Sequence, residues 1–138
     1  MSQNRKMLKI FSLIQVPIAL AALVMGALTL AGSSAAGGNA SVLGIELAAS
    51  LWQTILGGAA IAGGVLALVS ASFGIRGANR PSSLGSHLPV SALSAVAGVV
   101  AALGCTVSLN AGVAGVALAI CAVLACVYDR KVVKELDR

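Results

Sequence analysis

Apolar residues in this chain show no helical or strand periodicity; they dominate long runs that are free of Asp, Glu, Lys and Arg. Three uncharged runs result: Ile10–Ile45 (36 residues), Leu47–Ile75 (29 residues) and Pro81–Tyr128 (48 residues). A helix needs roughly 20 apolar residues to cross about 30 Å of hydrocarbon. The first run therefore holds one span and a loop, the second holds one span, and the third must fold back on itself. The pattern predicts four membrane-spanning helices over residues 10–31, 47–73, 88–109 and 111–128, with a polar tail over 129–138 and a single membrane domain over 1–138. A membrane β-barrel would show segments of about ten residues alternating in polarity. These segments are apolar on every face, so helices are the reading.

Turn chemistry sets the expected ends. The first span runs into Gly32-Ser33-Ser34-Ala35-Ala36-Gly37-Gly38-Asn39, a stretch of small, turn-forming residues. Gly74 and Gly77 offer ends to the second span, and Pro81 blocks its continuation. Ser86 stands where an N-cap of the third span would, with Pro89 in the first turn. Asn110 and Gly112 suggest the last reversal.

Composition sharpens the membrane assignment. Hydrophobic residues make up 59% of the chain and charged residues 9%, against about 25% charged in a soluble domain; mean hydropathy is +1.02. The charges also carry the topology. Arg5, Lys6 and Lys9 precede the first span, Arg76 and Arg80 separate the second and third, and Arg130, Lys131, Lys134 and Arg138 follow the fourth. The other two loops hold no basic residue, only Glu46. Basic residues collect on the cytoplasmic side of a membrane, so the expected fold is an all-α, four-helix antiparallel bundle with both termini cytoplasmic. The net charge of +5 is then a topology signal. Nucleic-acid binding would need a clustered basic face with stacking aromatics, which this chain lacks. Arg5, Lys6 and Lys9, the apolar stretch after them and Ser33-Ser34-Ala35 also imitate a secretion signal, but that stretch exceeds the usual 7 to 15 or so residues, and a retained span is expected.

Inside a bilayer, small residues let helix backbones approach one another. Such rows run through Ala59, Gly63, Ala67 and Ala71, with Ala60 and Gly64 beside them, through Ser94, Gly98 and Ala102, and through Ala111, Gly115 and Ala119. Ala59, Gly63, Ala67, Gly98 and Gly115 are the expected packing positions. Trp52 and Tyr128 stand at span ends where aromatic rings meet the headgroup level, and Arg76 and Arg80 are placed to meet anionic lipid or a partner.

Candidate chemistry is sparse. No charged residue falls inside a predicted span. Small multidrug transporters have a similar helix number and size, but their central glutamate lies in the first span; this chain has Gln15 there, which carries no proton, so that family is not assigned. Gln15 is expected to bond a neighbouring helix and Pro17 to bend the first span. Cys121 and Cys126 lack the spacing of a redox pair, and Cys105 and Cys121 differ in depth by about 7 Å at 1.5 Å per residue; three free, buried thiols are expected. His87 has no second ligand nearby in sequence and reads as an interfacial, solvated side chain. With Asp129 and Asp137 assigned to a solvated charged tail, no Ser-His-Asp set is expected. Asn39-Ala40-Ser41 fits a glycosylation acceptor, relevant only in a eukaryotic secretory setting.

The stretch Gly74-Ile75-Arg76-Gly77-Ala78-Asn79-Arg80-Pro81 resembles the middle cytoplasmic loop of small, uncharacterised four-helix bacterial membrane proteins, where a Gly-x-Arg-x-Ala-Asn-x-Pro string follows the second span. That resemblance implies no activity. The sequence thus points to a non-catalytic protein of the bacterial cytoplasmic membrane, an accessory or structural subunit with the lipid bilayer and another membrane protein, or its own copies, as partners. The alternative is a small oligomeric transporter or channel component. No enzyme activity, cofactor, metal or nucleic acid is expected.

Overall fold

The computed structural model describes residues 2–136; Asp137 and Arg138, counted above with the tail charges, lie outside them. Four helices, α1 (Gln3–Ser33), α2 (Ala49–Asn79), α3 (His87–Leu103) and α4 (Leu109–Leu136), form an antiparallel bundle. Counting the short 3-10 turn before α3, all four are long and apolar enough to cross a membrane. Each packs on its neighbours in chain order, and α1 against α4 closes the ring. The ends of the bundle differ. Both chain ends and the α2–α3 loop share one, called here the terminal end; the other two connections make the opposite, hairpin end.

Several boundaries differ from expectation for identifiable reasons. Ser2 accepts from the Arg5 amide and caps α1, starting the helix seven residues before the apolar run. Pro17 lies inside α1 without ending it. Gly74 and Gly77 do not end α2, which continues to Asn79; both glycines are buried contact points. Ser86 makes no capping bond and instead closes a 3-10 turn, Pro81–Ser86, that carries the chain into α3. The third span stops at Leu103 rather than Leu109. Gly104 turns the chain, and the Ser108 hydroxyl accepts from the Ala111 amide at 3.5 Å as an N-cap of α4. Asn110 and Gly112 thus sit in the first turn of α4, where Gly112 leaves room for Cys105.

The first connection is not a featureless loop. Strands β1 (Asn39–Val42) and β2 (Ile45–Ala48) pair antiparallel around Leu43-Gly44. Both turn residues have positive φ, 54° and 81°, as the tightest hairpin turn requires. Gly44 adopts this freely, whereas Leu43 does so under strain. The Trp52 indole N–H donates to the Ala40 carbonyl at 3.1 Å and pins the hairpin to α2.

Leucine against leucine gains little in lipid, so the bundle must be held by close packing. A β-carbon on Gly26 would stand 2.9 Å from the Gly57 carbonyl oxygen, one on Gly64 2.9 Å from that of Ala19, and one on Gly98 2.8 Å from the Ala119 nitrogen. Gly115 meets the backbone of Gly98 and Ala102, and Gly63 meets Leu118 and Ala97. Apart from Gly63, whose nearest neighbours are side chains, these are backbone-to-backbone approaches that any larger residue would prop apart. Around them lie two apolar layers: Leu56, Ala60, Ala101 and Ala111, flanked by Ala59 and Trp52, toward the hairpin end, and Ala19, Ala22, Ala67, Ala114 and Leu118 in the middle. A third, smaller layer of Leu8, Leu84 and Val132 closes the terminal end.

A buried polar layer as candidate functional site

Between the middle layer and the terminal layer the bundle interior is polar. The antiparallel register of α1 on α2, fixed by Gly26 on Gly57 and Ala19 on Gly64, brings Ser12 onto Gly74 and Gln15 level with Ser70. The place a Gly74 β-carbon would take is filled by the Ser12 hydroxyl and lies 2.9 Å from His87 Nε2. The glycine expected to end a helix is what lets Ser12 and His87 approach.

α3 and α4 supply the rest. Their close crossing at Gly98 and Gly115 aligns His87 with Asp129, and His87 Nδ1 lies 3.3 Å from Asp129 Oδ2. The contact is ionic in distance but misaligned as a hydrogen bond, since Nδ1 has no bonded partner. His87 is 0% exposed and Asp129 2%. Two expectations are therefore corrected. His87 is not solvated or alone, and Asp129 does not belong to the solvated tail; together with Ser12 they form the Ser, His and Asp grouping that the sequence reading excluded.

Ser12, Gln15 and Ser70 are also fully buried. The Ser12 and Ser70 hydroxyls, both amide atoms of Gln15, both ring nitrogens of His87 and Asp129 Oδ1 all lack a hydrogen-bond partner. The expected bond from Gln15 to a neighbouring helix is not made. By contrast, the Ser91 hydroxyl donates to the Ala122 carbonyl at 3.0 Å and Ser94 to that of Gly63 at 3.1 Å. These two stitch α3 to α4 and to α2. The Ser12 hydroxyl is not bonded to His87, so the grouping is not an assembled nucleophile and base. Among the described residues no three His, Cys, Asp or Glu side chains gather as a metal-ligand set.

The tail extends α4 as expected, but it is partly docked. Val132 is buried against Leu8 and Leu84, and the exposed Glu135 carboxylate accepts from Ser2 at 2.7 Å and from Asn4. Those hydrogen bonds, Ser2 first, hold the Glu135 carboxyl below its ordinary range. The Tyr128 ring stacks on Phe11 at 5.2 Å between centroids, with the Lys131 ammonium 5.0 Å from its face.

The remaining singled-out residues lie outside this layer. Arg76 and Arg80 are exposed around the end of α2. Trp52 is half-buried at the hairpin end. Cys105 is exposed, Cys121 buried and Cys126 intermediate, all as free thiols; the expectation of three buried thiols holds at Cys121, is met in part at Cys126, and fails at Cys105 because the turn begins one residue before it. No protein family, curated protein or solved structure matches this chain.

Proposed function

We propose that the protein is a non-catalytic accessory or structural subunit of a larger membrane assembly, spanning a bacterial cytoplasmic membrane with its terminal end inside. One observation carries this reading: the hairpin-end half of the bundle interior is closed by backbone contacts at Gly26, Gly57, Gly98 and Gly115, so the polar layer has no continuation across a single chain. A conducting path would need polar groups on both sides of the middle layer. Toward the hairpin end, among the described residues, the buried polar side chain is Thr29, bonded to Ser108 at 3.1 Å and to the Met25 carbonyl at 2.9 Å amid apolar contacts. The orientation rests on the basic residues gathered at the terminal end.

The outer faces suit a partner as well as lipid. A shallow apolar groove of about 460 Å³ runs between α3 and α4 past Ala92, Val123 and Cys126, with Arg130 at its rim. Photo-crosslinking from Ala92 or Val123 in native membranes tests the role: a discrete crosslinked membrane protein is expected, and recovery of lipid adducts alone refutes it. Orientation has its own readout. A membrane-impermeant maleimide should reach Cys105 only from the outer face, and labelling solely from the cytoplasmic face would invert the topology.

A transport or channel component is the second reading. It is favoured by the unpartnered Gln15 and Ser70 at depth, since polar groups inside a membrane mark solute and ion routes. Purified protein in liposomes that moves protons, ions or small solutes would replace the accessory role with this one.

A further inference from the structure

The polar layer is too costly to be left as it stands. A buried polar group left unsatisfied pays its desolvation cost with no bond in return, and seven such atoms gather on Ser12, Gln15, Ser70, His87 and Asp129. Sites that are polar and buried recover this cost by holding water, each molecule making about three hydrogen bonds. Charge adds a second demand. An ionised Asp129 beside a neutral His87 leaves one net negative charge walled by Leu8, Leu84 and Val132 on one side and Ala19, Ala67 and Leu118 on the other. Burying an uncompensated charge is the most expensive arrangement available.

We infer that His87 and Asp129, with Ser12, Gln15 and Ser70 around them, form a hydrated proton-binding site that takes up and releases one proton from the terminal side of the membrane. One proton held on the pair leaves it neutral overall, as imidazolium with carboxylate. Release leaves the bare carboxylate. No bond other than N–H or O–H forms or breaks, and water carries the proton away.

The surroundings favour a proton over a metal cation. The other buried polar groups of the layer are neutral: Ser12 and Gln15 from α1, Ser70 from α2, and Ser91 from α3, whose hydroxyl is committed to Ala122. Tyr128, next to Asp129 on α4, is occupied by Phe11. Lys9, Arg76, Arg130 and Lys131 are exposed, and Arg80 follows α2 at the surface. Arg5, about two turns from Ser12 toward the terminal end, is partly buried with an unpartnered Nε. Imidazole is the side chain that changes charge most readily between about pH 5 and 8. Sidedness follows from the walls. Toward the terminal end a single layer of three side chains and the 3-10 turn cover the site, whereas two layers and the glycine crossings stand on the other side.

His87 is the chain's only histidine, so ring ¹⁵N resonances of histidine-labelled protein report this site alone. In oriented proteoliposomes, the ring should gain one proton as pH is lowered on the terminal side, and should not respond to the opposite side. Asp129→Asn should remove that response. If this variant does not assemble, the Asp129 ¹³C carboxyl resonance in the unmodified protein must move together with the ring nitrogens. A ring signal that stays constant as pH is lowered, a titration unchanged in Asp129→Asn, or a carboxyl that moves at a different pH would overturn the inference. So would a response to sodium at constant pH, which would make the site a cation site. None of these readouts depends on a partner, so the accessory role and the proton site can fail separately.

Discussion

Gly98 offers the sharpest test of how this bundle is held. A β-carbon there would stand 2.8 Å from the Ala119 nitrogen, 2.9 Å from the Gly115 oxygen and 3.1 Å from Leu118 Cβ. Comfortable separations are about 3.5–4.0 Å, and two of the three neighbours are backbone with no rotamer to change. In Gly98→Ala, α3 and α4 must part by roughly half an ångström, overpacking that costs about 1–3 kcal/mol. Alanine also favours the helix by about 0.5–1 kcal/mol over glycine, which offsets part of that cost. Gly58→Ala isolates the packing contribution, because a β-carbon at Gly58 meets nothing within 4 Å while the helix gain is shared. Reversible unfolding in mixed detergent micelles, followed by circular dichroism, should therefore place Gly98→Ala about 1–3 kcal/mol below Gly58→Ala. If the two variants unfold within about 0.5 kcal/mol of each other, a margin within ordinary additivity error, backbone contact at this crossing is not what holds α3 to α4.

Three further outcomes follow from local geometry. Leu43→Asn should relieve a non-glycine residue held at φ 54°, a conformation costing roughly 1–2 kcal/mol that Asn tolerates better; amide exchange across β1 and β2 should slow, and faster exchange would contradict the strain. Trp52→Phe removes the indole bond to Ala40 at a net cost of about 0.5–1.5 kcal/mol, and should loosen hairpin amides while leaving α3 and α4 unaffected; equal loosening everywhere would refute a local tether. Because the folded state lowers the Glu135 pKa through Ser2 and Asn4, docking of the tail is favoured above the ordinary Glu range and lost as pH falls through the lowered value. Distance measurements between labels near residues 4 and 135 should lengthen in acid, and Glu135→Gln should remove that dependence; a contact indifferent to both would show that Val132 alone seats the tail.

Much of the architecture is legible in the sequence because few charges are present to interrupt the apolar runs, and most of them fall near the ends of spans. The finer features were hidden by ambiguity in single residues. A glycine near the end of an apolar run can stop a helix or admit a neighbour, and only the register of α1 on α2 decides that Gly74 admits Ser12. Asp129 reads as tail because Arg130 and Lys131 follow it, yet one helical position separates a lipid-facing side chain from a core-facing one. The pairing did leave a signal. His87 and Asp129 lie equally far from Ser108 along the chain, and residues equidistant from a tight turn meet across an antiparallel helix pair. The β-hairpin left a fainter one, a Leu-Gly pair where Asn-Gly is the usual mark.

The two tight connections, the β-hairpin and the turn at Gly104–Ser108, lie at the same end, and each joins the two helices of one pair, whereas the Pro81–Ser86 turn at the opposite end joins the pairs to each other. Glycine crossings stiffen each pair from within, α1 to α2 and α3 to α4. The molecule thus has the mechanics of tweezers, two stiff arms joined at the terminal end. There the arms also meet through Phe11 on Tyr128, Ser2 and Asn4 on Glu135, and Leu8 and Leu84 on Val132. A pull on the end of α4 is spent first on those contacts, because no backbone-to-backbone packing has to break, and the first interior surface it uncovers is the polar layer.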